Sequence, residues 1–203
     1  MDFPPLATSF SISLPDWIRD ELADVPDAIP DLGERMALVN RLADRNWREG
    51  NGGPFAALVA ERDTGRIVSV GVNVVLGTGI SSGHAEVTAL GLAQARLGAW
   101  DLGGAGLPPH ELVVNGRPCV QCYGATLWSG VRSLVVGCDG AEIERLTGFD
   151  EGPMVSDWDA QFEARGIAVT SGFLRDECAA VLGAYGEAAA SGGVTVYNAR
   201  SGD

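Results

Sequence analysis

The hydrophobic pattern begins to organise at Asp31-Leu32-Gly33-Glu34, where an acid and a glutamate three residues on can satisfy the free N–H groups of a helix start. Met36, Val39, Leu42 and Trp47 then recur at roughly helical spacing until Gly50, which predicts a first helix. Gly52-Gly53-Pro54 breaks it. Residues 55–61 and 66–75 read as strands, and Asp63-Thr64-Gly65 between them is a hairpin turn signal. Helical spacing returns over 84–97, with Val87, Leu90, Ala93 and Leu97 on one face. Further on, the pattern predicts a short buried strand at 111–115, a helix at 119–128 and a strand at 132–137. Helices near 142–146 and 158–165, a strand at 167–170 and a helix over 174–189 complete the series. Helices and strands that alternate in this order predict an α/β domain in which one mixed sheet is covered by helices on both faces.

The flanks differ from this body, which spans 31–190. Residues 1–30 are rich in Pro and Asp with one short alternating piece at 9–14, and read as an irregular extension over the surface. The tail, 191–203, follows Ser191-Gly192-Gly193 and is apolar at its start, unlike a solvated linker. Gly103-Gly104-Ala105-Gly106 neither follows a strand nor opens a helix, so it reads as a loop and not as a phosphate cradle. His110, after Pro108-Pro109, reads as an exposed loop imidazole, and Cys138 and Cys178 as buried thiols.

Composition narrows the function classes. Acidic residues outnumber basic ones 27 to 14 for a formal charge of -13, which repels a long polyanion, so no nucleic-acid partner is expected. Every basic residue besides histidine is arginine, and the absence of lysine excludes Schiff-base chemistry and the phosphate-binding lysine of P-loop enzymes. Met1-Asp2-Phe3-Pro4-Pro5 lacks the positive start and apolar run of a secretory signal, and no segment is long enough to span a bilayer. A cytoplasmic protein without a membrane partner is the expectation. There, two of the 4 cysteines, spaced as Cys119-Val120-Gln121-Cys122, point to metal or redox chemistry.

Two signals carry that chemistry: His84-Ala85-Glu86 at one predicted helix start and Pro118-Cys119-Val120-Gln121-Cys122 at another. Cysteines three apart in a first helical turn share a face, and the helix N-terminus favours the thiolate that binds zinc. His84 would complete three protein ligands and leave the fourth tetrahedral position for water, the arrangement of a catalytic zinc site with one ion per chain. Glu86, two residues past His84, points elsewhere on the helix and can serve the water as a proton carrier. His-x-Glu with Pro-Cys-x-x-Cys is the signature of zinc deaminases. The competing reading is a structural zinc site, for which Cys138 would be the fourth ligand.

With these motifs the chain resembles the cytidine deaminase superfamily and, within it, the bacterial guanine deaminases. The resemblance extends to Gly52-Gly53-Pro54-Phe55, Gly71-Val72-Asn73, Trp128-Ser129-Gly130-Val131-Arg132, Gly148-Phe149-Asp150-Glu151-Gly152-Pro153 and Val196-Tyr197-Asn198-Ala199-Arg200. It implies a three-layer α-β-α fold around a five-stranded mixed sheet, and a homodimer with exchanged C-terminal segments that close over the active sites. It also implies hydrolytic deamination of a small amino-heterocycle: guanine, or alternatively a triazine such as ammeline, a pterin, cytosine or a nucleoside. A zinc-stabilised protein on the same fold without turnover is a further alternative. By the same resemblance Asn73 bonds the base, Phe55, Ala85, Trp128 and Tyr197 belong to the ring site, and Glu151 bonds the base edge or helps move protons. The chain departs from guanine deaminases at Val114-Asn115-Gly116-Arg117, where an acid usually stands in place of Arg117.

Overall fold

The computed structural model describes residues 6–199. The first helices, α1 (Trp17–Leu22) and α2 (Leu32–Arg48), lead into the hairpin β1 (Ala56–Glu61) and β2 (Ile67–Val72). A short α3 (Val75–Thr78), α4 (Ala85–Leu97), β3 (His110–Gly116), α5 (Val120–Ser129) and β4 (Ser133–Cys138) follow. The chain continues through α6 (Gly140–Thr147), α7 (Trp158–Glu163), β5 (Ala168–Thr170) and α8 (Arg175–Ala190). The strands form one 5-stranded sheet in the order β2-β1-β3-β4-β5, antiparallel across β2, β1 and β3 and parallel from β3 to β5.

Strand alternation explains the layers. On β1, Ala56, Leu58 and Ala60 join the core beneath α2 and α8, whereas Ala57 and Val59 face the core beneath α4 and α7. Val113 and Val135 turn to the first core, and Leu112, Val114, Leu134 and Val136 to the second. Because both faces are covered, β1, β3 and β4 are buried along their length and their middle residues are apolar, as the sequence pattern suggests. The result is three layers, helices on either side of a mixed sheet. Leu58 is wholly buried, and truncating such a side chain to alanine costs ~2–5 kcal/mol.

Local chemistry sets the element starts. The Asp31 carboxylate accepts from the Glu34 N–H at 2.8 Å, opening α2 as the capping pattern predicts. Gly71 lets α4 press onto β2, since a Cβ there would lie 2.2 Å from the Ala85 carbonyl oxygen. This close approach brings the start of α4 to the end of β2.

The structure corrects three sequence readings. The described part of the N-terminal extension is not only irregular surface chain: it contains α1, buries Ile18 and Ile29 in the core, and bridges Ala28 to Arg66. Ile18, Leu22, Val25 and Ile29 stand at helical spacing, but the run is short and interrupted by Pro26 and Pro30, and the finished core shows where these side chains go. The strand read over 66–75 ends at Val72, because α3 takes over three residues later, with Val74 N–H bonded to the Gly83 carbonyl at 2.7 Å. His110 is fully buried at the start of β3, with Nδ1 2.7 Å from the Leu102 carbonyl oxygen. The preceding prolines suggested a loop, but pairing with Glu61 places this residue inside the sheet.

Candidate active site

The site lies where β2, β3 and the helices that follow them converge. His84 is the residue immediately before α4 and Cys119 the residue immediately before α5, both in extended backbone conformation, and Cys122 lies in the first turn of α5. Two helix N-termini therefore face one point. The His84 Nδ1 lies 3.4 Å from the Cys119 Sγ and 3.5 Å from the Cys122 Sγ, and all three donor atoms fall within 4.8 Å of one another. An ion with bonds of about 2.3 Å to sulfur and about 2.0 Å to nitrogen in tetrahedral array places such donors roughly 3.5 Å apart. One imidazole and two thiols at these separations are arranged to hold zinc. Cys138, at the end of β4, bonds the Arg175 carbonyl at 3.6 Å and is outside this group, so the closed four-ligand site has no support.

The electrostatics fit thiolate binding. The Cys122 thiol, donating to the Cys119 sulfur, and the His84 imidazole together bring the Cys119 thiol down to about 4 despite its burial. Burial opposes a charge on His84, yet the Cys119 thiolate and the Glu86 and Glu151 carboxylates outweigh it and raise its pKa. Glu86, in the first turn of α4, is buried beside the Cys122 thiol. Desolvation, reinforced by the Cys119 thiolate, raises its pKa above the usual carboxylate value. A buried carboxyl with a raised pKa next to a metal corner is suited to taking and returning protons.

Beside the donors opens a cavity of about 520 Å³. Its wall includes His84, Cys119, Asn73, Phe149, Glu151 and Tyr197. Glu151, in the loop after α6, is pushed up to about 8 by burial, by the Cys119 thiolate and by Glu86, with Arg117 opposing. The Tyr197 hydroxyl donates to the Asn73 Oδ1 at 2.6 Å and accepts from the Gly53 N–H at 2.7 Å. Because the Val75 N–H, at 3.2 Å, also donates to that Oδ1, the Asn73 amide is anchored through its oxygen.

The sequence-predicted residues divide. His84, Cys119, Asn73, Glu151 and Tyr197 share the cavity wall, with Cys122 and Glu86 packed at the metal corner. Phe55 stands behind the wall, its ring 5.7 Å from that of Phe149. Ala85 is fully buried in the core under α4, and Trp128 is 82% exposed at the end of α5; neither lines the cavity of the single chain. Phe149 and Asn198 were not singled out from the sequence and do line it. Phe149 stacks on Tyr185 at 5.5 Å and meets Tyr197 edge-on at 5.0 Å. Asn198 accepts from the Asp150 N–H at 2.9 Å and donates to the Gly148 carbonyl at 3.0 Å. Both stand inside motifs that carry the resemblance, Gly148-Phe149-Asp150-Glu151 and Tyr197-Asn198, next to Glu151 and Tyr197, to which the resemblance gives a role. The tail therefore folds over the cavity of its own chain.

A zinc corner with a neighbouring buried acid and an aromatic-walled cavity defines a zinc-dependent hydrolytic deaminase of nucleobases. Residues 31–138 match the family described as the cytidine and deoxycytidylate deaminase zinc-binding region, and the chain belongs to that family. It is similar to the solved guanine deaminase from Nitrosomonas europaea, at 42% identity over 91% of this chain and 100% of that one, with a TM-score of 0.84. Another solved structure, a complex with 2,6-diaminopurine, is 43% identical, with coverage of 95% and 98% and a TM-score of 0.84. The guanine deaminase of Bacillus subtilis is 30% identical over 126 residues, 62% of this chain and 76% of that protein.

Proposed function

We propose that the enzyme deaminates guanine: water replaces the exocyclic amino group of the ring, and ammonia leaves. The observation that carries this reading is the convergence on one cavity of the His84, Cys119 and Cys122 donors, the buried Glu86 and the buried Glu151. Similarity to guanine deaminases over nearly the whole chain supports the choice of ring. Zinc held by the three donors supplies an activated water at neutral pH.

The chain's own residues do the rest. Glu86 takes a proton from the attacking water and returns protons to the ring and to the leaving amine. Glu151 accepts from the ring edge that carries N–H and amino donors, and exchanges a proton there. The Asn73 amide, its oxygen held by Tyr197 and Val75, turns its NH₂ to an acceptor on the ring. Phe149 and Tyr197 supply flat apolar contact and exclude water.

The test is ammonia release from a panel of guanine, other free bases, nucleosides and triazines. Guanine with the highest kcat/KM is the expected outcome. A triazine, pterin or cytosine turned over better would replace guanine while keeping the chemistry, and no turnover by the zinc-loaded protein would leave only a binding protein.

The working unit we propose is a cytoplasmic homodimer with exchanged tails, acting on a small molecule and on no nucleic acid. No helix among the described residues is long and apolar enough to cross a membrane. Exchange would require the chain to turn near Gly192, which has a φ of 76° that glycine adopts freely, so that Tyr197 and Asn198 make the same contacts on a neighbour. Mixing a Glu86→Gln chain with a chain shortened after Ser191 tests the exchange. Restored activity supports it, and two inactive partners that stay inactive after mixing oppose it.

A further inference from the structure

Arg117 stands directly after β3, two residues before Cys119. Its N–H donates to the Cys138 carbonyl at 2.8 Å, so its backbone is locked where the parallel strands β3 and β4 end. Its guanidinium packs against the first residue of α6: a Cβ at Gly140 would sit 1.9 Å from Nη2 and 2.5 Å from Nε. Only glycine leaves that space open. The side chain is 8% exposed, and among the described residues the carboxylate within 4 Å of it is that of Glu151, with Oε2 at 3.9 Å. The Glu151 side chain is itself 7% exposed.

This distance is too long for a hydrogen bond, so the coupling is Coulombic, and burial keeps it from being screened. The nearby helix ends do not favour a cation. It lies at the N-terminal ends of α5 and α6, where helix dipoles already supply positive potential. A buried charge needs a partner, and removing one member strands the other. Glu151 lines the cavity whereas Arg117 does not, so the pair spans the wall from behind. The Glu151 backbone is held separately, its carbonyl accepting from the Val120 N–H at 3.1 Å. What remains to be set is the direction of its carboxylate.

We infer that Arg117 is a positioning residue for ring recognition: it draws the Glu151 Oε2 away from the cavity and leaves Oε1 to accept from the donor edge of the substrate. This rests on the substrate-side role of Glu151 proposed above.

A double-mutant cycle over Arg117→Gln and Glu151→Gln tests the inference, on zinc-loaded protein with the best substrate of the panel. Arg117→Gln should lower kcat/KM at least about tenfold with zinc content unchanged, and should cost less than threefold once Glu151 is already Gln. Arg117→Lys, which keeps the charge, should recover part of the loss, and Arg117→Glu should lose more than Gln. Equal losses in both backgrounds, or Lys no better than Gln, would overturn the inference. Melting temperatures of the same four proteins report the pair independently of turnover: additive shifts refute it whatever the ring. Full activity of Glu151→Gln alone would instead refute the reading of Glu151, a distinct result.

Discussion

The metal corner and the ring wall meet at one cavity but are built in different ways. The corner comes from two short segments, His84-Ala85-Glu86 and Cys119 to Cys122, each at a helix start fed by the sheet. The wall is assembled from the end of β2, the loop after α6 and the C-terminal tail, which are joined by side-chain hydrogen bonds across long sequence separations. Donor geometry in the corner is set by helix ends packed on a covered sheet, whereas the wall depends on contacts that only form when distant segments meet. Substitution in the corner should therefore remove chemistry, and substitution in the wall should change affinity and ring choice.

The largest expected effect tests the corner. Replacing Cys119 and Cys122 by alanine together should abolish zinc binding and turnover, read by elemental analysis and ammonia release; full zinc occupancy would mean that the ion sits elsewhere. Next comes Glu86→Gln, which should keep the fold and zinc but lose ~10²–10⁴-fold in kcat, since a positioned acid-base group supplies that much. Near-normal turnover in this variant would assign the proton transfers to another group.

The wall variants should lie lower. Glu151→Ala leaves ring donors unpaired, a cost of ~1–3 kcal/mol, and should reduce kcat/KM at least about tenfold. Asn73→Ala should do the same through the ring's acceptor. Unchanged kcat/KM in both would remove these residues from recognition. Tyr197→Phe keeps the aromatic wall but frees the Asn73 amide and the Gly53 N–H, so a smaller loss, carried mainly by KM, is expected. A loss in kcat alone would show that Tyr197 acts on the chemistry instead.

A separate effect, on stability and not on turnover, is a pH dependence of the metal-free protein. Glu151 is raised from an ordinary value of 4.5 to about 8, chiefly by burial, so between these values the folded chain binds a proton that the unfolded chain has released. Its contribution to stability is complete below about 4.5 and is lost as pH rises through about 8. Cys119, depressed to about 4, works in the opposite direction between its folded value and the ordinary 9.0. The difference in Tm between wild type and Glu151→Gln across this range isolates the Glu151 part. A difference that does not vary with pH would mean that Glu151 titrates normally.

The contrast between corner and wall also marks how far the residues themselves could be read. The strands were legible because double-sided burial makes the middles of β1, β3 and β4 apolar, and the zinc donors because helix starts and short spacing are local properties. Phe149 was missed because an aromatic beside Asp150 and Glu151 carries no local sign of facing a cavity. Trp128 was expected at the ring from resemblance, yet in the single chain it faces outward at 82% exposure. His110 followed two prolines like a loop residue, and only its pairing with Glu61 shows that it is sheet.

The sequence by itself determined the class of chemistry and the α/β architecture, because metal-donor spacing, helix starts and hydrophobic period are set within a few residues. Tertiary structure alone decided the side-chain hydrogen bond between Tyr197 and Asn73, 124 residues apart, and the meeting of Arg117 and Glu151 in the wall. Both pairs depend on where loops and a tail come to rest on a finished sheet, and the second also on burial that keeps water from screening two charges 3.9 Å apart.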